Sequence, residues 1–289
     1  MLNYRALVSL LAFASSARAW GAPGYGGFSL RWQDSFPGAA GASPNTGNWN
    51  LIDGYLNVNN ELQRYSSSTR NLQLSGGQTV QLVPWRDGST RMGWTSGRME
   101  SKYVFTPDAG SITRVEACLR FGGAPDYAKQ GIWPAFWLLG DSIRHGVQWP
   151  TGGELDIMER VNGLWTGYGT VHCGYSPNGG ACNEPNGVGG AIGIPDDGWH
   201  VWRLEFDRRS NDWTQQTITW SRDGWQFHQI SGSRIGDYNL WVALCQKPQF
   251  FILNLAVGGN WPGYPNGNTQ DGYGGMLEVA YVAHYSTQV

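Results

Sequence analysis

The chain has 289 residues, 15% of them charged, with 20 basic against 22 acidic side chains, 42 glycines and 16 tryptophans. So even a balance offers no electrostatic reason to bind nucleic acid, and nothing beyond the N-terminus approaches the roughly 20 apolar residues of a membrane span. Abundant glycine among short β-rich runs points instead to an all-β sandwich with many tight turns.

In chain order, the first segment reads as a leader. Arg5 precedes the apolar run Ala6–Ala14, and Ala17-Arg18-Ala19 has the small-x-small form of a cleavage site. Residues 1–19 are therefore expected to be a signal peptide and residues 20–289 one domain, a length that fits a single large sandwich. Removing Arg5 and Arg18 leaves 18 basic against 22 acidic groups, a net charge of about −4. The C-terminal run Tyr281–Val289 lacks the hydrophobic tail of a lipid-anchor signal. A secreted, extracellular monomer without membrane or nucleic-acid partners is expected.

Strand-like runs follow at Phe28–Trp32, Asn71–Leu74, Thr79–Val83, Gly97–Phe105, Thr113–Phe121, Ala135–Leu139, Glu154–Met158, Tyr168–His172, Val201–Phe206, Gln216–Trp220, Phe250–Val257 and Leu277–Val282. Many alternate polar with apolar residues, the period of a strand with one buried face. Asp223-Gly224 is a hairpin turn signal. The single helical candidate lies around Asp237–Trp241. Most of the tryptophans belong in the core, yet sixteen exceed what one such core needs, and sugar-binding clefts use flat aromatic faces. Four cysteines in an oxidising compartment suggest two disulfides, with three pairings open. Cys173 and Cys182 flank a turn-rich loop and make the natural local pair, which leaves Cys118 with Cys245 by elimination. Their spacing is not that of a zinc site.

The segment that carries chemistry is Trp149-Pro-Thr-Gly-Gly-Glu154-Leu-Asp156-Ile-Met-Glu159. In a regular strand Glu154 and Asp156 share one face, Leu155 and Ile157 point into the core, and Glu159 faces the wrong way. A one-residue bulge near Ile157–Met158 would return Glu159 to the face of the other two. Three crowded carboxylates repel, which raises at least one pKa. Glycosidic cleavage needs that division between an ionised and a protonated carboxyl group. The spacing alone also fits an exposed acidic strand of no consequence; the nearby Trp133, Trp137 and Trp149 favour a site for a neutral sugar polymer.

Asn59-Asn60-Glu61-Leu62-Gln63-Arg64-Tyr65, Thr95-Ser96-Gly97-Arg98, Gly131–Gly140, Thr170-Val-His172 and Phe251–Gly263, in this order around the carboxylate motif, resemble glycoside hydrolase family 16 and within it the laminarinase-like endo-β-1,3-glucanases. The resemblance runs over nearly all of residues 20–289. It implies a β-jelly-roll sandwich of two antiparallel sheets with a concave substrate cleft, a β-glucan substrate, and retention of anomeric configuration, for which the two glutamates must stand about 5–5.5 Å apart. By motif, Glu154 matches the nucleophile, Glu159 the acid/base and Asp156 the residue that tunes them. Asn60, Arg98, Glu116, Trp133, Trp137, Trp149, His172 and Trp261 would line the subsites. The residues themselves leave other readings open: a cross-strand ion pair for Arg98 and Glu116, a scaffold role for His172, and core rather than cleft for Trp133 and Trp137.

Members of the family often carry a structural calcium held by an acidic residue in the last strand. Ala280 stands at that position and Asp34 is a remnant of the same region, so no metal or other cofactor is expected. The competing functions are a non-catalytic glucan-binding protein, which would be expected to lose motif carboxylates, a same-fold enzyme on β-1,3-galactan or agarose, and a cell-wall transglycosylase using the same intermediate.

Overall fold

A computed structural model describes residues 20–287; the expected signal peptide lies outside them. Strands dominate the regular structure and are arranged as two packed antiparallel sheets. One has seven strands in the order Val188–Gly193, Thr166–His172, Glu154–Glu159, Ile132–Gly140, Gln249–Val257, Arg98–Phe105 and Trp49–Leu51. The other runs Trp225–Ser231, Thr217–Arg222, His200–Asp207, Ile112–Phe121, Leu277–Thr287, Val80–Leu82 and Leu72–Leu74, with Phe28–Asp34 also paired to Leu277–Thr287. A small third sheet joins Arg64–Tyr65, Trp94–Ser96 and Trp85–Arg86. This is the β-jelly-roll sandwich that the sequence implied.

Period-two alternation sets which side chains meet between the sheets. Trp202, Leu204 and Phe206 from one sheet join Phe136, Leu138, Leu155, Ile157, Phe251 and Leu253 from the other in one buried cluster. Each large apolar side chain so buried contributes about 1.5–3 kcal/mol. Trp49, Trp202, Trp220 and Trp241 are wholly enclosed, so a share of the tryptophans is core as expected. The Asp223-Gly224 turn closes the hairpin between Thr217–Arg222 and Trp225–Ser231 with both residues at positive φ.

The helical candidate is the helix Tyr238–Cys245, capped by Asp237, whose carboxylate accepts from the Asn239 and Leu240 amides. Its apolar side buries Leu240, Trp241, Leu244 and Cys245. No described helix is long and apolar enough to cross a membrane.

One disulfide forms where the loop composition placed it, Cys173–Cys182. The second expected bridge does not: Cys118 and Cys245 are both free and buried. Their places in the sandwich explain this. Cys245 lies in the inter-sheet core, whereas Cys118 belongs to a separate cluster with Ala280, Tyr281, Ala283 and Tyr285 on the far side of the other sheet.

Candidate active site

The Glu154–Glu159 strand is central in the seven-stranded sheet, between Ile132–Gly140 and Thr166–His172. Its pairing to Thr166–His172 jumps: Asp156 faces Thr170, but Glu159, three residues on, faces Tyr168 only two residues away. The extra residue is the anticipated bulge. It leaves Leu155, Ile157 and Met158 in the core and puts Glu159 on the outward face with Glu154 and Asp156. Strong apolar anchoring at Leu155 and Ile157 fixes the strand, and the bulge re-aims one side chain.

The neighbouring strands deliver the rest. His172, opposite Glu154, places Nε2 3.4 Å from Asp156 Oδ2 and 4.0 Å from Glu154 Oε1. Trp149 Nε1–H donates to Glu154 Oε2 at 3.2 Å, and Trp133 Nε1–H donates to Glu159 Oε1 at 3.0 Å. Trp137 Nε1–H donates to Asn254 Oδ1 at 2.7 Å, and the Arg98 guanidinium lies 5.0 Å from the Trp137 ring centre. Trp261, 44% exposed, meets the rings of Trp133 and Tyr168 edge-on at 5.5 and 5.1 Å. Asn60 borders this group by donating to Asn260 Oδ1 at 2.7 Å. Trp133 and Trp137, four residues apart on the strand Ile132–Gly140, share one face, and that face is the carboxylate face.

Electrostatics separates the three acids. Burial, with the Glu154 charge adding to it, raises Glu159 from 4.5 to about 7 against the Trp133 hydrogen bond and His172. Burial, then the charges of Glu159, Glu154 and Glu184, hold Asp156 well above the usual carboxylate range; its Oδ2 is enclosed and lacks a hydrogen-bond partner. Burial also raises Glu154, opposed by the charge of His172. Burial disfavours the imidazolium, but the Glu184 hydrogen bond and the surrounding carboxylates outweigh it and raise His172. Buried and crowded carboxyl groups do not all ionise together, so this group can hold one glutamate ionised beside a protonated one, the condition for cleaving an acetal by paired carboxyl groups. Glu154, Asp156 and His172 atoms lie within 4.8 Å of one another, a closeness that serves this charge sharing.

Glu116 is the one predicted site residue that the fold removes from the cleft. It lies on Ile112–Phe121 in the opposite sheet, fully buried, where Val115, Ala117 and Leu119 take the inter-sheet core and the alternation turns Glu116 to the far face. There its carboxylate accepts from Tyr25 and Tyr281 hydroxyls at 2.9 and 3.0 Å and from Arg203 Nε at 2.7 Å. Nor does it pair with Arg98, which bonds Glu100 at 2.7 Å on its own strand.

Three residues at the site went unassigned from sequence. Asn254 and Glu61 lie inside the family signatures. Asn254 Nδ2–H donates to the Tyr65 hydroxyl at 3.1 Å, which in turn donates to Glu61 Oε2 at 3.3 Å; burial raises Glu61. Period-two spacing from Ile252 could have placed Asn254. Glu184 comes from the stretch that follows the disulfide loop, and its only signal was a carboxylate two residues beyond Cys182.

Known proteins resemble this chain in sequence and in fold. Residues 96–187 match the family described as XgeA-like, catalytic GH16 domain. A glucan endo-1,3-beta-glucosidase of Cryptopygus antarcticus is 30% identical over 290 residues, 96% of each chain. Glucan endo-1,3-beta-glucosidase A1 of Niallia circulans is 28% identical over 92% of this chain, which spans 39% of that longer protein. Among solved structures, the endo-1,3-beta-glucanase of Streptomyces sioyaensis superposes with a TM-score of 0.85 at 38% identity, covering 93% of this chain and 100% of that one. With its sandwich, its bulged carboxylate strand and these relatives over nearly its whole length, the chain belongs to glycoside hydrolase family 16.

Proposed function

We propose that the protein is an endo-acting, retaining β-1,3-glucanase that hydrolyses laminarin-type glucan by double displacement. The observation that carries the reading is the bulge that sets Glu154, Asp156 and Glu159 on one face with Glu159 raised to about 7. Glu154, ionised beside His172, attacks the anomeric carbon. Glu159, protonated, gives its proton to the leaving sugar oxygen, then takes a proton from the water that opens the glycosyl-enzyme. Asp156 lies between them and moderates their charges. Trp133, Trp149 and Trp261 add aromatic surface along the same strip, suited to a neutral sugar chain. The substrate is argued from the names of the relatives: two glucan endo-1,3-beta-glucosidases and an endo-1,3-beta-glucanase of known structure.

The same reading has the protein act outside the cell as a monomer, without a cofactor. Calcium is not needed for the fold. Asp34 spends its carboxylate on the Phe36 amide, Asn48 and Trp49 at 2.8–2.9 Å, and Ala280 packs among Cys118, Tyr281 and Tyr285, so these residues do not fit a site for six or more oxygen ligands.

Incubation with laminarin, mixed-linkage glucan, β-1,3-galactan and agarose, with products sized over time, tests the reading. A ladder of short oligosaccharides from laminarin is expected. Cutting only galactan or agarose, or binding laminarin without cutting it, would refute it.

A further inference from the structure

His172 is held more firmly than a bystander needs. On one side Nδ1 lies 2.7 Å from Glu184 Oε2. The other Glu184 oxygen accepts the Cys173 amide at 2.8 Å, and the Glu184 side chain has no exposed surface. On another side Gly187, at φ +70°, packs so close that a Cβ there would fall 2.8 Å from His172 Cε1 and 2.3 Å from Thr170 Cγ2. The Trp149 ring centre is 5.8 Å away. Both Glu184 and Gly187 come from the stretch just after Cys182, tied back to Cys173 by the disulfide. Cys173 is also the residue after His172 and the donor to Glu184. The clip therefore returns the loop to the place where it grips the imidazole.

We propose that Glu184 is a positioning residue for the hydrolysis, fixing His172 as an imidazolium whose Nε2 lies beside Asp156 and Glu154. Glu184 cannot touch substrate because it is enclosed. It acts through His172, and so rests on the hydrolytic reading above. With both oxygens accepting, Nδ1 must carry a proton. Nε2 then faces Asp156 Oδ2 at 3.4 Å and Glu154 Oε1 at 4.0 Å, with Glu159 on the same strand and Arg98 acting on Glu154 from across the sheet. Carboxylates on two sides of the ring, Glu184 and Glu154, favour the charged form that in turn keeps Glu154 ionised. The residues 188–193 beside it, Val-Gly-Gly-Ala-Ile-Gly, bring no titratable group.

The substitution Glu184→Gln discriminates. The introduced amide would still accept from the Cys173 N–H, but its NH2 would face Nδ1 and force a neutral imidazole protonated on Nε2. The expected result on laminarin is a kcat lowered by about tenfold or more, KM nearly unchanged, and the acid limb of the pH profile moved up by at most about one pH unit, since the His172 cation lost to Glu154 acts on it more strongly than the Glu184 anion removed with it. Histidine-labelled NMR of the wild type should show Nδ1 protonated throughout and His172 titrating above its ordinary 6.5. A folded Glu184→Gln protein with wild-type kcat and an unmoved acid limb would overturn the proposal. So would a wild-type His172 that titrates at or below 6.5, and that measurement decides should the variant fail to fold. A wild type that cuts no glucan would overturn the hydrolytic reading itself, a separate result visible before any variant is made.

Discussion

Replacing Glu159 by Gln isolates what it costs the fold to keep a carboxyl group in this position. Glu159 is 9% exposed, and its pKa is raised from 4.5 to about 7. A group whose folded value lies above its unfolded one favours the folded state fully below the unfolded value, and that contribution is lost as pH rises through the folded value. The window here runs from about pH 4.5 to 7, and the loss is about 3 kcal/mol, at ~1.4 kcal/mol per pKa step. Glutamine has no proton to lose. Glu159→Gln should therefore match the wild type near pH 4 and be more stable by about 3 kcal/mol at pH 8. For a domain of this size that is a rise of roughly 6–12 °C in Tm. Thermal melts of both proteins across pH 4–8.5 read the difference directly, and no substrate is involved. Two curves running parallel across the range would refute the assignment of Glu159 as the raised carboxyl.

Trp133→Phe removes the indole N–H that favours ionised Glu159, so the alkaline limb of kcat/KM on laminarin should move to higher pH; a downward shift would contradict this. Glu116→Gln should lower stability by about 3 kcal/mol, because Arg203 is left without its buried partner, while kcat and KM stay at wild-type values. A large loss of activity without loss of stability would return Glu116 to the cleft. Chelator should leave the Tm unchanged, as Ala280 and the fully bonded Asp34 imply, and a drop of many degrees would show that calcium is bound.

Local chemistry made much of this legible in the sequence. Leu155 and Ile157 demanded a buried face, and the position of Glu159 then demanded a bulge, which the pairing shows. The short spacer between Cys173 and Cys182 sufficed for their bridge. What failed depended on which side of which sheet a residue occupies, information that period-two alternation does not carry. Glu116 and Cys118 alternate correctly out of the inter-sheet core, but that exit leads to the far face of the sandwich, where Tyr25, Tyr281 and Tyr285 cover them. Cys245 sits inside the core instead, so elimination paired two cysteines from opposite sides of a sheet. The strand Val188–Gly193 showed no apolar period because glycines there make room for neighbours: a Cβ at Gly190 would stand 2.8 Å from that of His228. Glu184 became visible only when the loop was seen to close on His172.

The proposed double displacement has Glu154 form a covalent bond to the sugar while Glu159 handles the proton. It is tested most directly with Glu159→Ala, an activated aryl β-glucoside of a laminari-oligosaccharide, and azide. The leaving group then needs no acid, and azide can occupy the space of the missing carboxylate. Azide should restore turnover and yield the β-glycosyl azide, formed by opening an α-linked Glu154 ester. An α-glycosyl azide, or labelling of a residue other than Glu154 in the trapped intermediate, would contradict it.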